Sequence, residues 1–249
     1  MRAFIVAMLC SPAAGIASAV SPALPTWVSS AAVAAITEPQ ALVAFASMES
    51  VDLNLPAEVA SGPVKTTYLR TSSSMPSALP PLMLVHGFDI SCLEYRRLLP
   101  LLEAAGIEAY APCVAGWGFT ETTNMRGVGV EEKRAQLLAF HDQVLGGRPA
   151  IWVGASLGAC IALDCYKARP NAFSRFAALD PGFFTEAPPV VPPLVGRLLL
   201  RNVLGTPPVR ESIAKQAYYV KEDQTVDGTR QTSSFSLPSC QPRRPSLVP

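Results

Sequence analysis

From residue 64 to residue 179 the chain alternates short apolar runs with longer segments that are apolar on one side only. Residues 64–69 (Val-Lys-Thr-Thr-Tyr-Leu) are β-branched and partly alternating, which predicts a strand. A Ser/Pro-rich loop follows at 71–80. Residues 82–85 (Leu-Met-Leu-Val) form a continuous apolar run ending at His86-Gly87, the pattern of a strand buried on both faces. A helix is predicted over 92–105, with Leu93, Leu98, Leu99, Leu101 and Leu102 as its apolar face and Gly106 as its stop. Next come a strand at 107–111, a loop at 116–118 and an amphipathic helix at 130–145. A strand at 150–153 and a helix at 157–168, ending ahead of Pro170, complete a second unit. The last regular strand is predicted at 176–179, closed by Asp180-Pro181-Gly182.

Strands that alternate with helices over short connections predict an α/β fold: a doubly wound, mostly parallel sheet with flanking helices. Such sheets bind ligands at the carboxyl ends of their strands. His86-Gly87-Phe88, the segment Gly154 to Gly158, and Asp180 all fall at those ends. Beyond residue 185 the regularity weakens, with Pro188, Pro189, Pro192 and Pro193 interrupting the pattern. The reading divides the chain into a targeting presequence and linker (1–50), a core (60–186), a helical segment (187–230) and a Ser/Pro/Arg-rich disordered tail (231–249).

Composition narrows the classes. At 249 residues and 49% hydrophobic content, the chain can hold one α/β domain with tails and is no disordered polymer. Net charge is +1, with no basic stripe interleaved with aromatics, so nucleic acid is not an expected partner. The six cysteines contain no C-x-x-C pair and no histidine at ligand spacing. No metal site and no cofactor are expected, and Cys160 and Cys165 read as small buried hydrophobes. At the amino end, Arg2 precedes an apolar run at 3–10, followed by the small-residue site Ala17-Ser18-Ala19. That run is too short for a stable membrane span. Residues 20–36 are Ala/Ser/Pro-rich, and the first acid is Glu38. Two routes fit: a plain secretory signal, or a signal followed by transit-like sequence leading to a plastid.

The segment Trp152 to Ala159 carries the chemistry. Gly154-Ala155-Ser156-Leu157-Gly158 is a G-x-S-x-G motif set between an apolar strand and a helix, about seventy residues after the His86-Gly87 strand end. A hydroxyl is a weak nucleophile until it is exposed and deprotonated. A sharp turn exposes it, and the turn needs small residues such as Gly154 and Gly158 where backbones crowd. The N–H of Leu157 at the helix start is one expected oxyanion donor, and the N–H of Phe88 is the other.

Residues 80–180 resemble the α/β-hydrolase superfamily (AB hydrolase-1 type). The stretch PPLMLVHGFDISCLEYRRLLPLLEAAGIEAYAPCVAGWGFTE is similar to plastid-type α/β hydrolases of plants and algae, including its Gly-Trp-Gly-Phe loop. The resemblance implies that His86, Gly87 and Phe88 form the oxyanion loop and that Ser156 is the nucleophile. It implies a small-molecule substrate, apolar in character, drawn from esters, lipids, thioesters, epoxides or compounds cleaved at C–C bonds. Oligomeric state stays open.

Two departures stand out. The family usually has an acidic residue where this chain has Cys113. The family also orders its triad Ser, Asp/Glu, His. Only two histidines occur here, His86 and His141, and both precede Ser156. His86 reads as structural, and His141 belongs to the helix ahead of the nucleophile strand. Asp180 is a turn former or the triad acid. On the resemblance, 183–230 would begin a helical cap, and the chain would be a carboxyl-terminally truncated form. The expected function is a serine-dependent hydrolase of a carbonyl substrate, impaired for want of the histidine. The alternatives are a non-catalytic binding protein and a nonfunctional product.

Overall fold

Among the described residues six strands make one sheet: β1 (Glu49–Leu53), β2 (Val64–Arg70), β3 (Leu82–Val85), β4 (Ala109–Pro112), β5 (Ala150–Ala155) and β6 (Phe173–Leu179). The structure is a computed structural model, and it describes residues 38–72 and 79–182 together with isolated positions outside those spans. The sheet order is β1-β2-β4-β3-β5-β6. Strands β4, β3, β5 and β6 run parallel, while β2 pairs antiparallel with both β1 and β4. Among the described residues four helices cover the faces: α1 (Pro39–Ala46), α2 (Leu98–Ala104), α3 (Val130–Val144) and α4 (Leu157–Ala168). The doubly wound, mostly parallel α/β fold read from the sequence is the fold observed.

The central strands are apolar at every position because both faces are covered. In β3, Leu84 enters one core layer with Phe45 of α1, Leu93 and Leu99. Its neighbours Met83 and Val85 enter the other, with Leu137 and Phe140 of α3 and Ile161 of α4. Successive side chains of a strand point to opposite faces, so an unbroken apolar run serves two layers. Strand β5 is locked to β6 by Trp152, which stacks on Phe173 at 4.4 Å and donates its indole N–H to the Ala172 carbonyl at 3.2 Å.

Three expectations need correction. The helix expected over 92–105 is a 3₁₀ turn at Cys92–Arg96 followed by α2. Pro100 explains the break: a proline ring collides with the carbonyl four residues earlier, here that of Arg96. The apolar face changes with it, since Leu93 and Leu99 are buried while Leu98 and Leu101 are exposed. Second, folded structure reaches into the segment read as presequence and linker. Helix α1 packs on the 3₁₀ turn and β1 pairs with β2. Third, β6 starts at Phe173, three residues ahead of the expected 176. The expected presequence over 1–33, and most of 187–249, lie outside the described residues.

An ion pair ties α1 to the turn. Glu38, just ahead of α1, is buried and receives Arg96 at 2.8 Å and Arg97 at 3.0 Å. Arg96 is buried as well and also donates to the Leu93 carbonyl at 3.1 Å. Burial by itself would push the Glu38 carboxyl up, but the two guanidinium groups outweigh it and hold the carboxyl below its ordinary range. A carboxylate so lowered stabilises the fold above its unfolded pKa, and that contribution is lost as pH falls through the folded value. Removing one partner of a buried pair strands the other charge. Glu38→Gln is therefore expected to cost about 3–5 kcal/mol at pH 7 in urea unfolding. The difference from the unsubstituted protein should shrink as the pH is taken well below 4.5.

Candidate active site

Strands β4 and β5 flank β3 on opposite sides, so the sheet reverses its winding at β3. The crevice outside the carboxyl ends of the strands at such a reversal is where open α/β sheets bind ligands. Val85 pairs with Gly154, which sets the ends of β3 and β5 level. His86-Gly87 leaves one strand there and Ser156 leaves the other.

Ser156 is exposed and occupies the position just ahead of α4, with φ 50° and ψ −119°. This is left-handed backbone, strained for a residue with a Cβ. The neighbours hold it there. The Ser156 N–H donates to the Leu179 carbonyl at 2.9 Å, and the Ala159 N–H donates to the Ser156 carbonyl at 3.1 Å. Both glycines of the motif are needed for space. A Cβ on Gly154 would come within 3.0 Å of the Ala159 backbone, and one on Gly158 within 3.0 Å of the Val85 and His86 carbonyl oxygens. The first turn of α4 thus lies directly on the end of β3.

The loop after β3 is pinned through His86, which is fully buried. The Val114 N–H donates to His86 Nε2 at 2.9 Å. Nε2 must then be the bare nitrogen, so Nδ1 carries the hydrogen and donates to the Gly87 carbonyl at 3.0 Å. A trans peptide points its N–H away from its carbonyl, so the Phe88 N–H faces the other way from His86. Gly87 backs onto the elbow: a Cβ there would lie 3.3 Å from Ser156 Cβ and from the Ala155 carbonyl oxygen. The Gly87 N–H donates to Glu94 Oε2 at 3.4 Å. Phe88 is 62% exposed and meets Trp117 edge to face at 5.5 Å.

Residues 82–248 match the alpha/beta hydrolase family. This chain belongs to that family. It is 38% identical over 106 residues to alpha/beta hydrolase domain-containing protein VTE7 of Arabidopsis thaliana, a match covering 43% of this chain and 32% of the relative. The chain therefore aligns with about a third of that curated relative. Among solved structures, it is similar to a candidate hydrolytic enzyme from Pseudomonas aeruginosa (TM-score 0.61, 15% identity, 76% of this chain and 60% of the other). It is also similar to a candidate epoxide hydrolase from Klebsiella pneumoniae (TM-score 0.56, 17% identity, 80% and 68%). At such identities the likeness speaks for the fold alone.

In this alpha/beta hydrolase neither histidine stands ready to take a proton from Ser156. Both nitrogens of His86 are engaged, Nδ1 by the Gly87 carbonyl and Nε2 by the Val114 N–H. His141 is buried on α3, with Nε2 donating to the Arg148 carbonyl at 2.9 Å and Nδ1 3.1 Å from Asp142. It faces Trp152, four residues before Ser156 along β5, a span of about 13 Å at strand rise. Burial raises the Asp142 carboxyl, but Arg169, with help from His141, holds it below its ordinary range. Asp180 follows β6 in left-handed backbone (φ 44°), exposed and with no side-chain hydrogen bond among the described residues. That conformation suits an aspartate closing a turn. Among the described residues no group of His, Cys, Asp or Glu converges to hold a metal, and no helix is long and apolar enough to cross a membrane.

Several contributors escaped the sequence reading. Buried Gln136 of α3 accepts the Ala115 N–H at 2.9 Å and donates to the Cys113 carbonyl at 2.9 Å, fixing the loop that carries Trp117. The Cys113 sulfur accepts the Cys92 N–H at 3.4 Å. A polar residue at the centre of an amphipathic helix was the available signal for Gln136; nothing in the pattern marked Glu94. Of the helix cysteines, Cys165 is buried, which pushes its thiol up to about 12, while Cys160 is half-buried. Because the atoms crowding position 158 are backbone, they cannot swing aside. Gly158→Ala should cost about 3 kcal/mol or more in urea unfolding, or prevent folding outright.

Proposed function

We propose that this chain is a serine-dependent hydrolase acting on the carbonyl carbon of an ester-like, largely apolar small molecule. Ser156 is the nucleophile, and the N–H groups of Phe88 and Leu157 receive the developing oxyanion. The observation that carries this reading is the conformation of Ser156: exposed, in left-handed backbone, immediately ahead of a helix whose first turn rests on the neighbouring strand end. Such strain persists where surrounding structure enforces it, and it clusters at functional sites. Support for an apolar substrate comes from Phe88, which keeps most of its ring in solvent beside the proposed oxyanion donor.

Within these 249 residues no imidazole follows Ser156, and the two that precede it are occupied. Acylation by this chain alone is then driven by the oxyanion donors and binding, without an efficient base. In serine enzymes, loss of the correctly oriented histidine tautomer lowers turnover by roughly 10⁴-fold. A fluorophosphonate probe should label Ser156 and no other residue, slowly, and free imidazole should accelerate the labelling. Ser156→Ala should abolish it. Labelling at another residue would remove the nucleophile assignment, and fast labelling unaffected by imidazole would show that a base is already in place.

Occupation of both imidazoles also favours a second reading, a binding protein that holds an apolar ligand above Ser156 without turnover. Under it, Ser156→Ala leaves ligand binding intact and no ester is hydrolysed at any imidazole concentration. Under either reading, Phe88→Ala should weaken binding of an apolar ester about 10-fold, measured by isothermal titration, with little change in melting temperature.

A further inference from the structure

We propose that Glu94 is a positioning residue of this site: its carboxyl holds the Gly87 N–H and so helps aim the peptide leading into Phe88. The consequence for reactivity rests on the assignment of Ser156 and Phe88 above; the contact itself does not.

Gly87 has no side chain, and its φ and ψ are less restricted than those of any other residue type. A larger residue is disfavoured by the 3.3 Å approach a Cβ would make to Ser156 Cβ and Ala155. Something other than a side chain must therefore set both angles. His86 grips the Gly87 carbonyl, which restrains ψ. Glu94 grips the Gly87 N–H, which restrains φ. With both restrained, the direction of the next N–H, that of Phe88, follows from peptide planarity. Without Glu94, one of the two angles is loose and the oxyanion donor wanders.

The 3₁₀ turn Cys92–Arg96 delivers Glu94 to this place. Its N–H bonds to the Ser91 carbonyl at 3.0 Å, and Leu93 and Tyr95 on either side are buried in the core. Arg96 is held by Glu38, so the turn cannot roll. The charged and titratable groups near Glu94 are His86 at the end of β3, Arg96 and Tyr95 on its own turn, and Glu38 behind Arg96. No cation forms an ion pair with Glu94 among the described residues. Burial accordingly raises its carboxyl, and the pull of His86, the Gly87 N–H and Arg96 does not cancel the effect. An unpaired carboxyl beside an apolar core opposes stability once ionised. Packing alone does not account for its presence, whereas a need for an acceptor at Gly87 does.

The test uses the full chain and two readouts. First, the Gly87 amide is followed by ¹⁵N NMR during a pH titration. It should shift with a midpoint above 4.5, and Glu94→Gln should flatten the curve. A Gly87 titration unchanged in Glu94→Gln overturns the proposal. Second, fluorophosphonate labelling of Ser156 is resolved into half-saturating concentration and maximal rate. Glu94→Gln keeps a carbonyl acceptor and should stay within about 3-fold of the parent, while Glu94→Ala should lose about 10-fold in maximal rate at unchanged half-saturation. Equal maximal rates for parent and Glu94→Ala overturn the proposal. Folding is checked separately. A carboxyl raised by burial loses its stabilising contribution as pH climbs through its folded pKa, so Glu94→Gln should melt above the parent at pH 8 but not at pH 4. If even the parent leaves Ser156 unlabelled, the nucleophile assignment fails, and the Gly87 titration still decides whether Glu94 holds the loop.

Discussion

The first turn of α4 touches the end of β3 through backbone alone, and the geometry of the crevice follows from that contact. Gly154 and Gly158 permit it, because each sits where any Cβ would run into main-chain atoms. Close approach does two things together. It leaves Ser156 exposed in left-handed backbone at the strand end, and it sets the first turn of α4 against the Val85 and His86 carbonyls. Space, more than any single hydrogen bond, organises the site.

Polar groups buried around this contact are satisfied in a connected way. His86 links the β3 loop to Val114, Gln136 links the next loop to α3, and Glu94 links the 3₁₀ turn to Gly87. Each link ends on a backbone group of a loop that ladder hydrogen bonds do not reach. Unpaired, these groups would be costly in a water-poor interior. Paired, they turn irregular segments into rigid ones. One exception is the Tyr95 hydroxyl, buried with no partner among the described residues, for which the structure offers no reason. Glu38 and its two arginines extend the scheme outward, so residues well before β2 help hold the turn that carries Glu94.

Chemically, the site is lopsided. Around Ser156 the structure holds a helix start and a loop whose carbonyl and N–H are both bonded at Gly87. A group able to take the serine proton is not found among the described residues near Ser156. Both imidazoles serve as cross-links, His86 between Gly87 and Val114 and His141 between α3 and the Arg148 carbonyl ahead of β5. An enclosed imidazole bonded at both nitrogens has no lone pair to offer a hydroxyl. Oxyanion stabilisation and proton transfer are separable contributions to acyl transfer, and the function proposed above asks this site for the first without the second.

What could be read from the chain alone was whatever depends on short-range pattern. The apolar run at 82–85, the amphipathic helix at 130–145 and the small residues around Ser156 each carry their meaning within a few positions, so strands, helix and turn were legible. The break ahead of Pro100 was legible too, had the ring's reach back to Arg96 been weighed. Residues whose roles depend on partners far along the chain were not. Glu38 and Arg96 look like ordinary surface charges until folding brings them together across 58 positions. The tautomer of His86 depends on an amide 28 residues away. Glu94 acquires its role because a 3₁₀ turn, a strand end and a glycine meet. Local sequence determined which segments become strands, helices and an exposed serine, because sterics and hydrophobic period act over neighbouring residues. Only the tertiary structure decided which polar groups became cross-links and which stayed free, because that depends on distances between segments that no local pattern encodes.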